Sequence, residues 1–110
     1  MPRSVLRTTR LCQALVTLML ASPAIAASSP EQRGKVFASS HCGRCHAIGR
    51  TGPSRFGAAP PFRTLHLRYP IETLGEALAE GIATGHPAMP EFELSPDQIR
   101  DLLSYLKSLE

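Results

Sequence analysis

The feature that most constrains the fold is a cluster of two thiols and one imidazole within five residues, from Cys42 to His46. The chain has 110 residues and three cysteines, and this cluster contains two of the three. Large core side chains are scarce, with two Tyr, four Phe and no Trp. A chain this short forms one small domain, which excludes a multi-domain enzyme. Small domains commonly need a disulfide, a metal or a cofactor for stability, and the cluster is the natural place for it.

The first 26 residues have the composition of an export signal. Three arginines precede a mainly apolar stretch, residues 11–21, and the triplet Ala24-Ile25-Ala26 follows. A basic start, a short apolar stretch and an A-x-A site are typical of a secretory signal peptide. We therefore predict cleavage after Ala26, with cleavage after Ala27 as the alternative.

An uncleaved membrane anchor is another interpretation of this segment. Its apolar stretch is shorter than the ~20 residues that span a bilayer, and Pro23 interrupts the segment. Cys12 lacks the small-residue surroundings of a lipoprotein site, so we assign it to the removed segment. The predicted organisation is a cleaved signal over residues 1–26 and one domain over residues 27–110.

Removal of the signal cancels the basic excess of the chain. The full sequence has 12 Lys and Arg against 9 Asp and Glu, a formal net charge of +3. Arg3, Arg7 and Arg10 account for all of this excess, so the remaining domain is formally neutral. A neutral domain is not expected to bind nucleic acid, and no second stretch is apolar enough to insert into a membrane after cleavage.

The sequence Cys42-Gly43-Arg44-Cys45-His46 is a C-x-x-C-H motif, which is typical of covalent haem attachment. Two thiols three residues apart on a helical turn can add to two vinyl groups on one porphyrin edge. His46 then lies beneath the iron, and Gly43 allows a close approach of the backbone. We predict one covalent haem c, held by Cys42 and Cys45, with His46 as an axial ligand of its iron.

Three other uses of the cysteine pair are less well supported by the sequence. A thioredoxin-like redox pair is expected near a βαβ pattern, and no strand-like alternation is present. A zinc site would need a second closely spaced ligand pair, which His66 and His86 do not form. A disulfide between Cys42 and Cys45 would close a very short loop and add little stability.

The sixth coordination position of the iron decides between electron transfer and ligand chemistry. Met89 is the sole methionine after the signal, and it lies in a loop that Pro87 and Pro90 prevent from being helical. An ordinary gap-filling methionine would be expected on a packed helix instead. We predict that Met89 is the second axial ligand. His86 is the rival, and imidazole ligation would lower the reduction potential.

Capping signals and apolar periodicity predict an all-helical domain, and no segment predicts a strand. Ser29 and Ser95 each begin a capping box that has proline at the first helical position. The predicted helical segments are Pro30 to about Ser40, Arg63 to Leu67, Ile71 to Ala83 closed by Gly85, and Pro96 to about Leu109. Their predicted inward side chains are Gly34, Val36, Phe37, Ile71, Leu74, Leu78, Ile82, Ile99, Leu102, Leu103, Leu106 and Leu109, with Tyr105 beside the last group.

Residues 28–110 resemble the class I c-type cytochromes, in particular the small bacterial monohaem members. The likeness rests on the C-x-x-C-H motif, on the Met-Pro loop before the last helix, and on Gly34 and Phe37 opposite Tyr105. It implies the cytochrome c fold, in which three to four short helices surround one covalently attached haem. It also implies that the first and last helices cross closely, which the glycine permits.

The resemblance further implies that a proline carbonyl accepts a hydrogen bond from the His46 ring and fixes its orientation. Pro53 and Pro60 are both candidates. We favour Pro60, because the helix-like segment Arg63–Leu67 follows it, and this choice makes residues 49–59 a surface loop.

Haem is expected to supply the core that the polypeptide lacks, so the chain without haem should be largely unfolded. The apolar side chains predicted to contact haem are Phe37, Ile48, Phe62, Leu65, Leu78 and Leu106. The arginines considered for its propionates are Arg44, Arg50, Arg55, Arg63 and Arg68.

These features predict a periplasmic, monomeric one-electron carrier in an electron-transport chain, and not an enzyme. Its partners would be redox proteins, such as a dehydrogenase and a terminal oxidase. The haem edge would be bordered by small or apolar residues, and Lys35 and Lys107 are the only lysines, which predicts a transient contact of modest salt dependence. The alternative is a haem subunit or sensor in a stable complex, or a ligand-binding haem protein, with an open or His-ligated sixth position.

Overall fold

The computed structural model describes residues 26–81 and 88–110 of the chain. Its regular elements, in chain order, are α1 (Pro30–His41), a 3₁₀ helix (Phe62–Leu67), α2 (Thr73–Glu80) and α3 (Pro96–Lys107). These two ranges contain no β-strand, in agreement with the predicted all-α class. No helix in them is long and apolar enough to cross a membrane. The predicted signal peptide lies outside the described residues except for Ala26.

The same capping arrangement begins α1 and α3. At α1 the Ser29 hydroxyl accepts from Gln32 N (3.2 Å), and the Gln32 side chain accepts from Ser29 N (3.0 Å). Ser95 and Gln98 repeat both hydrogen bonds at α3. Each box satisfies backbone donors that a helix start leaves without intrahelical partners, so both predicted starts are confirmed.

Helices α1 and α3 cross in direct backbone contact at Gly34. A Cβ atom on Gly34 would lie 1.9 Å from the Asp101 carbonyl oxygen and 2.9 Å from Tyr105 Cβ. No other residue type fits in that space, which supports the predicted role of this glycine. Val36, however, is 66% exposed, so the prediction that it faces inward is wrong. At about 100° per residue, two positions beyond Gly34 is the opposite side of the helix.

An ion pair joins the two helices beside this crossing. The Arg33 guanidinium donates to both carboxylate oxygens of Asp101, at 2.7 and 2.8 Å. Asp101 is mostly buried, and the hydrogen bond from Arg33 lowers the pKa of its carboxyl below the ordinary value. The bidentate geometry fixes the rotation of α1 against α3 as well as their separation.

Helix α2 is shorter than the periodicity predicts. It ends at Gly81, which has the left-handed conformation (φ 71°), so the predicted continuation to Ala83 is wrong. Such a residue stops a helix because an L side chain rarely tolerates that backbone conformation. Ile71 precedes the helix and is fully buried. Ile82 and Gly85, which were predicted to extend and to close this helix, lie outside the described residues.

The core lies between α3, the 3₁₀ helix and the ends of α2. Helix α3 ends at Lys107, two residues before the predicted end, although Leu109 remains buried. Partly buried Ile99 and Leu103 pack against the core, as do Leu74 and Leu78 from α2. The buried cluster consists of Ala38, Phe62, Leu65, Ile71, Leu94, Leu102, Tyr105, Leu106 and Leu109.

Replacement of Gly34 by alanine is expected to lower the free energy of unfolding by about 3 kcal/mol or more, because the added carbon meets backbone that cannot yield without separating the helices. Gly57→Ala is the control, since a Cβ there meets nothing within 4 Å. Urea unfolding followed by circular dichroism measures both variants. Equal unfolding midpoints for the two would contradict the packing described for Gly34.

Asp101→Asn is expected to destabilise the protein at neutral pH by removing the charged partner of Arg33. Because Arg33 lowers the pKa of Asp101 in the folded state, this carboxylate stabilises the fold above its unfolded pKa of about 3.9. The contribution is lost as the pH falls through the lower folded-state value. The difference in unfolding free energy between wild type and variant should therefore shrink below about pH 4.

Asp97→Asn provides a matched control, because Asp97 is an exposed α3 carboxylate paired with Arg100. Its difference from wild type should be small at every pH. A difference for Asp101→Asn that stays constant from neutral to strongly acidic pH would contradict the assigned ion pair.

Candidate functional site

The C-x-x-C-H motif begins where α1 ends. Cys42 N and Gly43 N both donate to the Ala38 carbonyl, at 2.9 and 3.0 Å, so the chain turns tightly out of the helix. A Cβ on Gly43 would lie 2.8 Å from the Ser39 carbonyl oxygen. The turn itself therefore requires a glycine here, in addition to the predicted close approach to a macrocycle.

A second turn brings the two cysteines and the histidine to one short stretch of surface. Cys45 N and His46 N both donate to the Cys42 carbonyl, at 3.1 and 2.9 Å. Cys42 and Cys45 are half-buried and are not joined by a disulfide. Burial raises the pKa of the Cys42 thiol to about 11. Thioredoxin-like pairs instead need a depressed thiol pKa, so this environment does not favour the redox alternative.

The imidazole of His46 is held by the segment before the 3₁₀ helix. His46 Nδ1–H donates to the Pro60 carbonyl (2.8 Å), and the Phe62 ring lies 5.0 Å from the imidazole at an angle of 44° between the planes. A carbonyl can only accept, so the proton is on Nδ1 and the Nε2 lone pair is the one left for a metal. Pro53, the other candidate, is exposed and lies in the surface loop.

Backbone hydrogen bonds fasten this segment to the motif. Phe62 N donates to the Ala47 carbonyl (2.9 Å), and Phe56 N donates to the Cys45 carbonyl (3.1 Å). Most of residues 49–59 are exposed, as predicted, although Ala59 is buried. The loop therefore leaves the motif and returns to it, and its return places Pro60 beside His46.

A tyrosine on α3 forms a hydrogen bond in the site that the sequence did not predict. Tyr105 is buried, and its hydroxyl donates to the Ile48 carbonyl (2.6 Å). Burial raises the pKa of this hydroxyl, so it stays protonated and remains a donor at neutral pH. Tyr105 thus ties the chain just after His46 to the helix that crosses Gly34.

Met89 is half-buried and lies in the segment that leads into α3. The far end of this segment is anchored, because Leu94 is buried and its N–H donates to the Leu78 carbonyl of α2 (2.9 Å). Phe92, which lies between Met89 and Leu94 in the sequence, packs against the core. His86 and Pro87, which belong to the predicted ligand loop, lie outside the described residues.

The apolar side chains predicted to contact haem share one hydrophobic cluster, against which Cys42 of the motif also packs. Phe62, Leu65 and Leu106 belong to the buried cluster, and the other three pack against it while remaining partly exposed. These three are Phe37, Ile48 and Leu78. No group of three or more His, Cys, Asp or Glu side chains in the described ranges is arranged to hold a bare metal ion.

The donor set fits a covalently attached haem. Two cysteines that form no disulfide lie on adjoining turns, and the imidazole that follows has one nitrogen bonded to a carbonyl and the other available. Thiols of this kind form thioether bonds to porphyrin vinyl groups, and a histidine with an oriented ring is a suitable iron ligand.

Comparison with known proteins gives the same assignment. The model of the cytochrome c family matches residues 31–110. A protein named cytochrome c-553-like from Synechocystis sp. is 30% identical over 91 residues, which are 80% of this chain and 77% of that protein. No solved structure is significantly similar to the chain. The chain belongs to the cytochrome c family and carries covalently bound haem c; proteins of this family are generally electron carriers and not enzymes.

Proposed function

We propose that residues 27–110 form a periplasmic one-electron carrier. Its haem would be attached through Cys42 and Cys45, and its iron would be bound by His46 and Met89. Family membership supports a haem c electron carrier, and the arrangement of this chain supports the particular ligands.

The observation that carries the proposal is the hydrogen bond from His46 to the Pro60 carbonyl. It orients the ring, selects the tautomer and makes Nε2 a better donor to iron. The acceptor is a backbone carbonyl, which does not titrate, so it would be available to the His46 ring in both oxidation states of the iron. Such a ligand changes little in position when an electron enters or leaves.

Met89 is proposed as the second ligand because of the segment in which it lies. It is half-buried between exposed Ala88 and exposed Pro90, in a stretch that cannot be helical. A thioether ligand favours ferrous iron and raises the reduction potential. With His46 and Met89 both bound to it, the iron would have no open position for a substrate, and the haem would supply one-electron transfer.

Export is proposed from the signal-like segment before residue 27. Outside the cytoplasm, the carrier would move as a monomer between redox proteins, one that donates the electron and one that accepts it. The residues expected at the docking edge are small or apolar, and Lys107 is paired with Glu72 (2.6 Å) and is not part of a ring of lysines. The contact is therefore expected to be transient and only modestly dependent on salt.

Met89→Ala is expected to abolish the weak sulfur-to-iron charge-transfer band of the oxidised protein and to lower its reduction potential, because the thioether is lost. The measurement is the visible spectrum of the exported protein, oxidised and reduced. His86→Ala is the matched control in the same loop and should keep the band. A native protein that is high-spin, and whose spectrum shifts with carbon monoxide, would contradict His/Met ligation and favour a ligand-binding haem protein.

The double variant with Cys42→Ala and Cys45→Ala is expected to lack covalent haem and to be largely unfolded, because haem would supply much of the apolar core. Circular dichroism and thermal melting measure this. The control is Arg44→Ala, an exposed position between the two cysteines, which should retain haem and a cooperative transition. Native helicity and cooperative melting of the haem-free chain would show that the polypeptide core suffices alone.

A further inference from the structure

Arg63 in the 3₁₀ helix has an unusual environment for a cation. Its side-chain atom Nη1 is buried, and among the residues that the structure describes it has no hydrogen-bond partner. A guanidinium N–H that is removed from water without an acceptor is costly, even where the rest of the side chain is only half-buried. The environment of Arg63 therefore indicates a missing acceptor.

The polypeptide offers no carboxylate for this atom. All nine acidic residues of the chain lie in the described ranges, and none forms an ion pair with Arg63. Residues 1–25 and 82–87 contain no Asp or Glu. No carboxylate of the described residues pairs with Arg63, so a group from outside the amino-acid sequence is the candidate for its anionic partner.

The position of Arg63 in the chain relates it to the haem site. It directly follows Phe62, whose ring lies 5.0 Å from the His46 imidazole. Pro60, three residues before Arg63, accepts the hydrogen bond from that imidazole. Arg63 is thus a cation in the segment that orients the proposed iron ligand. Haem bound at that ligand would bring two propionate carboxylates into the fold.

The other four arginines considered for the propionates have acceptors or are exposed to water. Arg50 donates to the Ser108 carbonyl, and so it already has a partner. Arg44, Arg55 and Arg68 are exposed, where water satisfies their donors. Arg63 is the one of these five that is both half-buried and left with an unpartnered nitrogen within the described part of the chain.

We infer that Arg63 binds a propionate of the haem and, through that bond, holds the Pro60–Phe62 segment against His46. A guanidinium suits this role because it stays charged and can donate two parallel hydrogen bonds to a carboxylate. The inference rests on the proposed haem site. Arg63 acts on the iron in two ways: its charge offsets that of the propionate, and its anchorage keeps the Pro60 carbonyl in place.

Arg63→Gln is expected to lower the reduction potential, because an unneutralised propionate stabilises ferric iron. The ferric-to-ferrous ratio at a fixed ambient potential should rise on the order of tenfold, which is 59 mV for one electron. Arg63→Lys keeps the charge but not the paired geometry, so its reduction potential should lie between those of Arg63→Gln and wild type. Arg68→Gln removes an exposed charge from the same segment and should change the ratio by less than about twofold.

A second measurement uses the wild-type protein and does not depend on the folding of a variant. In protein labelled with ¹⁵N-arginine, the side-chain N–H signals of Arg63 should exchange slowly and should shift between the ferric and ferrous states. Those of Arg68 should exchange quickly and hardly shift. Fast exchange and no redox-dependent shift for Arg63 would overturn the assignment.

The outcomes separate this inference from the proposed function. A wild-type spectrum without the sulfur-to-iron band would remove His/Met ligation, whatever Arg63 does. A normal wild-type spectrum together with an Arg63→Gln potential equal to that of wild type would overturn the Arg63 assignment alone. A variant that is merely less stable in urea, with no change in potential, would also overturn it, because that is the result of a purely structural arginine.

Discussion

The backbone contact between α1 and α3 at Gly34 is the constraint on which the rest of the structure depends. The missing Cβ lets the Asp101 carbonyl and Tyr105 lie against α1, and the Arg33–Asp101 ion pair fixes the rotation of the two helices. Because Tyr105 also donates to Ile48, the crossing sets the position of the chain that leaves the C-x-x-C-H motif. One glycine thereby links the packing of α1 against α3 to the geometry of the haem site.

The same arrangement supports the proposal that haem is part of the fold. The polypeptide buries a modest cluster around α3, while Phe37, Ile48 and Leu78 pack against it only partly covered. An apolar macrocycle attached beside them would remove this surface from water, which is the dominant favourable term in folding. The Pro60 carbonyl then serves two purposes, since it satisfies His46 and closes the loop that frames the site.

Features that depend on short sequence spacing were predictable. The capping boxes at Ser29 and Ser95 mark the starts of both long helices, and the spacing of apolar residues along the helical segments predicts the all-α class. The Arg33–Asp101 and Tyr105–Ile48 contacts were not predicted, because their partners are 68 and 57 residues apart and meet only through the helix crossing. Val36 and the end of α2 were wrong for local reasons: helix rotation in one case, and the left-handed Gly81 in the other.

We propose that one haem, covalently bound to a domain that is exported, completes this fold. The most direct measurement is the intact mass of the protein purified from the periplasm, recorded under denaturing conditions that release any non-covalent group. We predict one species with the mass of residues 27–110 plus one haem. A folded protein whose denatured mass is that of the polypeptide alone would contradict it.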